Sequence, residues 1–130
     1  TCGITAHPPE DKVVRTAMGA AEFVPHRHFA DVTEAIDRAR SDGCRVAARE
    51  TTDVSRPLYD PWPKEPTCLV LGNEALGVSE PALAAADGVV EIPLLGYKNS
   101  LNVAVSFGIA LFEILRQWGE LEELPDSLTR

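Results

Sequence analysis

The order of apolar and amphipathic stretches predicts an α/β protein with a parallel sheet flanked by helices. Three observations carry this. Short apolar runs at residues 44–48, 68–71 and 89–92 alternate with stretches of helical periodicity. The run at 68–71, CLVL, is apolar throughout, as expected of a strand covered on both faces. The last two runs pass straight into loops rich in Gly and Asn, each followed by a helix. Two such strand ends lying side by side form one crevice, where ligands of open α/β sheets gather.

Residues 1–5 read as the tail of a strand. Pro8-Pro9-Glu10-Asp11 then opens a helix, with proline in the first turn and acids favoured by the dipole. Val13, Val14, Ala17 and Met18 share a face of that helix, and Gly19 ends it. Phe23 and Val24 form a short apolar segment before the cluster His26-Arg27-His28. Asp31 followed by Glu34 is a capping-box pattern, and Val32, Ala35, Ile36 and Ala39 give one buried stripe that Gly43 closes. After the strand at 44–48, residues 51–66 carry Pro57, Pro61, Pro63 and Pro66. This segment is either an ordered loop anchored by Leu58, Tyr59 and Trp62 or a mobile linker. Ser79 caps a helix with Pro81 in its first turn that runs to about Ala86. The last helix spans about 100–118, with Ser100 as its cap, Asn102 in its first turn and Gly119 as its stop.

At 130 residues the chain is one α/β domain, residues 1–130. A hydrophobic content of 45% with 25% charged residues is that of a soluble globular protein. No apolar run reaches the roughly 18 to 20 residues of a membrane span, and no signal peptide opens the chain. Cys2, Cys44 and Cys68 are odd in number and lack metal-ligand spacing, which suits reduced thiols in a cytoplasmic protein. With 12 Lys plus Arg against 20 Asp plus Glu, the net charge is −8. A nucleic-acid partner would therefore have to meet a local basic patch, Lys12 with Arg15 or the His26-Arg27-His28 cluster.

The middle of the last helix, residues 103–112, is apolar nearly all round and must be buried on several sides. Ala104 and Gly108 lie four apart and Ala110 is small, so another backbone can approach closely. A domain of this size hardly covers that circumference alone. Either the helix is sandwiched within one subunit or it forms part of a homodimer interface, and the second is the expectation.

Residues 71–74 (LGNE) with Gly77, Ile92-Pro93 with Gly96, and residues 98–104 (KNSLNVA) resemble the second and third motifs of the SpoU (TrmH) family of RNA ribose 2'-O-methyltransferases. The resemblance continues upstream through Pro8-Pro9, Lys12-Val13 and residues 16–20, covering roughly residues 3 to 116. Two ordered motifs are a far stronger signal than a lone glycine loop. The resemblance implies a SPOUT-type parallel sheet with a C-terminal trefoil knot, S-adenosyl-L-methionine as cofactor, RNA as substrate and a homodimer. It also implies that backbone groups at Gly72, Ile92 and Leu101 bind the cofactor, with Ile92 and Leu101 enclosing the adenine.

Methyl transfer depends largely on positioning donor and acceptor in line. Gly72 lets backbone approach the cofactor without a side chain in the way. Family counterparts of Glu74, Ser100 and Asn102 shape the active site. Glu74 either holds its loop by accepting backbone N–H bonds or orients a catalytic cation. Lys98 and Asn99 either meet RNA phosphates or are solvated. Family members carry a first motif upstream, with an Asn and an Arg that activates the ribose hydroxyl, and nothing before Thr1 matches it. The chain thus reads as an N-terminally incomplete domain lacking the first strand and helix, and Arg15 and Arg27 do not match the missing motif. The leading function is RNA 2'-O-methylation, with tRNA ahead of rRNA because the chain is compact and has no added RNA-binding domain. The alternative is a cofactor- or RNA-binding fragment without turnover. A module for another nucleotide is disfavoured, since neither GxGxxG nor GxxxxGK[ST] occurs.

Overall fold

The structure is a computed structural model that describes residues 1–97 and 100–121. Its elements are α1 (Asp11–Thr16), α2 (Ala20–Phe23), α3 (Val32–Ser41), β1 (Arg45–Arg49), β2 (Arg56–Pro57), β3 (Thr67–Leu71), α4 (Glu80–Ala85), β4 (Gly88–Glu91) and α5 (Val103–Trp118). The four strands form one parallel sheet in the order β2-β4-β1-β3.

β1 is the central strand, and its side chains alternate between two cores. Val46 and Ala48 join Ile36, Val78 and Ala82 beneath α3 and α4, while Ala47 faces Leu58, Trp62, Ala110 and Ile114 beneath α5. The sheet is therefore sandwiched between α3 and α4 on one side and α5 on the other. Register sets the carboxyl edge: Arg49 lies level with Leu71 of β3 on one side and Val90 of β4 on the other. The strands leading into the two Gly/Asn-rich loops are thus not neighbours, contrary to the expectation of adjacent ends. β1 lies between them, because the chain crosses β1 through α4 to place β4 on its far side. β3 is consequently an edge strand, half-buried along its length, and the fully covered strand is β1.

Capping explains several boundaries. Asp31 accepts the Thr33 N–H at 2.7 Å and caps α3, and Gly43 turns the chain at φ +81°. The Thr33 hydroxyl also donates to this carboxyl, and that bond, followed by the backbone one, holds Asp31 below its ordinary range. Ser79 precedes α4, but its side chain makes no capping bond. At α5 the cap is Asn102, not Ser100: its Oδ1 accepts from the N–H groups of Ala104 and Val105 at 2.9 and 3.3 Å, so the helix begins three residues later than expected. Gly119 ends α5 at φ +74°.

The amino-terminal region is less regular than its sequence suggests. Residues 1–5 contribute only a single bridge, Cys2 to Phe29. α1 stops at Thr16 and Met18, at φ +49°, points almost wholly into solvent, so of the anticipated apolar face only Val13 and Ala17 are half-buried. Within the basic cluster His28 is tied down, stacked on His7 with ring centroids 3.8 Å apart, while His26 and Arg27 stay exposed.

The proline-rich segment is ordered and contributes β2. Leu58 and Trp62 are buried, each worth about 1.5–3 kcal/mol of transfer free energy, whereas Tyr59 is exposed and anchors nothing. Gln117 of α5 moors this loop: its Oε1 accepts the Trp62 N–H at 2.7 Å, and its Nε2 donates to the carbonyls of Leu58 and Asp60. The Trp118 indole adds a bond to the Pro63 carbonyl at 3.0 Å.

Candidate active site

β3 ends at Leu71 and the chain reverses over residues 72–78. Asn73 and Gly77 exchange backbone hydrogen bonds of 3.1 and 2.8 Å, and the Asn73 side chain accepts the Ala75 N–H. Gly72 is required by the reversal itself. A Cβ there would stand 2.2 Å from the Gly77 carbonyl carbon, so the loop packs on its own backbone.

The reversal is held from beneath by Glu50, just past β1, whose Oε2 accepts the Val78 N–H at 2.9 Å and whose Oε1 accepts the Thr51 N–H. Holding the loop by accepting a backbone N–H, one of the two roles open to Glu74, is carried out by Glu50. Glu74 instead faces the start of α5, where Asn102 Nδ2 donates to its Oε1 at 2.8 Å. Asn102 therefore does two things with one amide: its oxygen caps α5 and its nitrogen fastens the first loop to the second.

Between these parts lies a cavity of about 180 Å³. Gly72, Glu74, Ser100 and Leu101 line it, as expected of a shared site. Arg49, Glu50 and Ser106 line it too, and sequence reasoning missed all three. The available signal was the strand boundary: ending β1 at Arg49 places a charged residue at the carboxyl edge.

The other candidates lie elsewhere. Ile92 packs against the α5-side core and does not line this cavity. Lys12 and Arg15 sit on α1, also away from it. Lys98 and Asn99 lie outside the described residues. No cluster of His, Cys, Asp or Glu suited to a metal occurs among the described residues. The Cys68 thiol is pushed up by burial, with Cys44 adding to the effect, and so is a poor nucleophile.

Comparison with known proteins decides the kinship. The sequence profile of the SpoU rRNA Methylase family matches residues 3–112. The chain belongs to this family. Among SpoU relatives, the tRNA (guanosine(18)-2'-O)-methyltransferase of Thermus thermophilus is 38% identical over 102 residues, covering 78% of this chain and 53% of the relative. The 23S rRNA (guanosine-2'-O-)-methyltransferase RlmB of Pseudomonas aeruginosa is 33% identical over 121 residues, covering 88% of this chain and 48% of the relative. The AdoMet-bound rRNA methyltransferase of Sinorhizobium meliloti superposes with a TM-score of 0.79 at 30% identity, over 88% of this chain and 44% of that one. The chain spans about half the length of the curated SpoU relatives it matches.

Proposed function

We propose that the cavity at the carboxyl edge is the S-adenosylmethionine crevice of an RNA ribose 2'-O-methyltransferase. The observation that carries this reading is the Glu74–Asn102 bond, which joins the loop after β3 to the start of α5 across one cavity. A polar, partly enclosed hollow at the strand ends suits a nucleoside-type ligand. The residues present fit the cofactor: Arg49 supplies a cation, Glu50 and Glu74 supply carboxylates, and Leu101 an apolar wall. When bound, S-adenosylmethionine supplies an activated methyl group. Glu74, Ser100 and Asn102 orient the reacting ribose, and Gly72 and Leu101 contact the cofactor through their backbones.

The acceptor is RNA, with tRNA favoured over rRNA. Lys12 and Arg15 on α1, together with Lys98 and Asn99, contact its phosphates, which reconciles an RNA substrate with a net charge of −8. The loop after β3, β4 and the start of α5 belong to a trefoil knot in this reading. Support comes from the crossing that carries the chain from β3 over β1 to β4 and back to the Glu74 loop. The functional unit is a homodimer built on α5, whose outward side chains Val105, Phe107, Ile109 and Phe112 are 41–63% exposed in one subunit. A cytoplasmic setting keeps Cys2, Cys44 and Cys68 as the free thiols they are.

Transfer of labelled methyl from S-adenosylmethionine to unmodified tRNA or 23S rRNA, followed by nucleoside analysis, tests this. Label at a ribose 2'-oxygen supports the activity. Binding of the cofactor without transfer indicates a fragment without turnover, and absence of binding removes the reading.

A further inference from the structure

The cavity holds a cation, Arg49, that forms no salt bridge among the described residues. Arg49 is 9% exposed, and its Nε and Nη2 are buried with no hydrogen-bond partner among the described residues. The hydroxyl of Ser106 is in the same condition, 2% exposed and unpartnered. Both line the one cavity, and the fold explains why they meet there. Arg49 follows Ala47 on the α5-facing side of β1, and Ser106 precedes Ala110 on the buried stripe of α5 by one turn. The contact that is apolar lower down becomes guanidinium and hydroxyl at the carboxyl edge.

A buried guanidinium without an anion is costly, and its planar fork matches a carboxylate. The carboxylates nearest at hand are committed: Glu50 accepts two backbone N–H groups and Glu74 accepts from Asn102. We propose that Arg49, assisted by the Ser106 hydroxyl, binds the carboxylate of the amino-acid tail of S-adenosylmethionine. This rests on the reading of the crevice as the cofactor site. Burial selects this anion over an RNA phosphate: the donor atoms are buried in the lining of a cavity of about 180 Å³, which suits a slim aliphatic tail better than a phosphate flanked by two riboses. Charge agrees. Arg49 with Glu50 and Glu74 gives the cavity a net charge of −1, and the cofactor, with sulfonium, ammonium and carboxylate, carries +1.

The test is calorimetry on the full 130-residue chain with four ligands: S-adenosylmethionine, its decarboxylated form, S-adenosylhomocysteine, and 5'-methylthioadenosine, which lacks the whole tail. The unaltered protein should bind S-adenosylhomocysteine roughly 10- to 100-fold more tightly than 5'-methylthioadenosine, the span expected of hydrogen bonds to a charged group. The decarboxylated ligand should also lose at least roughly 10-fold, the lower end of that span, relative to S-adenosylmethionine. Arg49→Met should erase both differences while leaving the affinity for 5'-methylthioadenosine unchanged, and Arg49→Lys should restore part of them. Equal binding of all four ligands to the unaltered protein overturns the inference while leaving the cofactor reading intact. Carboxylate discrimination that survives in a folded Arg49→Met variant also overturns it. An unaltered protein that binds none of the ligands defeats the cofactor reading itself. The wild-type series decides even if a variant misfolds.

Discussion

Replacing Asn102 by alanine separates its two duties. The cap contributes about 1 kcal/mol, the ordinary cost of losing an Asn cap. The bond from Nδ2 to Glu74 is exposed and adds about 0.5 kcal/mol, well below what a buried charged pair gives. Together these make about 1.5 kcal/mol. With an unfolding entropy of about 2.1 cal/mol/K per residue, the melting midpoint of a chain this long should fall by about 5 °C. Asn102→Asp keeps the capping oxygen but turns the amide donor into a second carboxylate facing Glu74. It should fall by only about 2 °C, because the cap survives. Differential scanning calorimetry at pH 7 reads both. A drop for Asn102→Ala of less than about 1 °C refutes the cap, and an equal drop for the two variants refutes the division of labour. In the methyl-transfer assay both variants should be impaired, since both lose the tie to Glu74.

Gly72→Ala should destabilise the protein by about 1–3 kcal/mol or more, because the new methyl meets backbone at 2.2 Å; chemical denaturation reads the loss, and cofactor binding should fall with it. Phe112→Glu should leave the fold intact, since the side chain is 63% exposed, but should abolish the dimer in sedimentation velocity; a wild-type chain that is monomeric at micromolar concentration removes that prediction. Acid should destabilise the protein through carboxyls depressed in the folded state. The Arg116 and Gln117 hydrogen bonds lower Glu113 from 4.5 to about 2, while the Val46 N–H and then Arg40 lower Asp87. Their contribution is full above the unfolded values and is lost as pH falls from about 4.5 toward about 2. The melting midpoint should decline over that window, and Glu113→Gln should make the decline shallower.

Residues whose role is local were legible in the sequence. The Asp31 cap, the glycines at 43 and 119, and the apolar strands depend on neighbours a few positions away, and period and propensity report such neighbours well. The site was legible where it coincided with Gly/Asn-rich loops: Gly72, Glu74, Ser100 and Leu101 share a cavity as expected. What escaped depends on strand order. That β1 would lie between β3 and β4 is a fact about a crossing, and without it the strand boundary at Arg49 does not by itself distinguish Arg49 and Glu50 from solvated charges. Ser106 likewise reads as an ordinary small residue until its helix face is known. The Ser100 cap failed because Asn102, two residues later, competes for the same task with an amide that also reaches Glu74.

The terminal rod is gripped at both ends. Its front supplies the amide that fastens the loop after β3, and its rear is clamped by one glutamine to three main-chain groups of a proline-rich excursion outside the cavity lining. Shortening that excursion would loosen the rear grip and tilt the front. A deletion there should yield an inert protein with every reactive residue still in place.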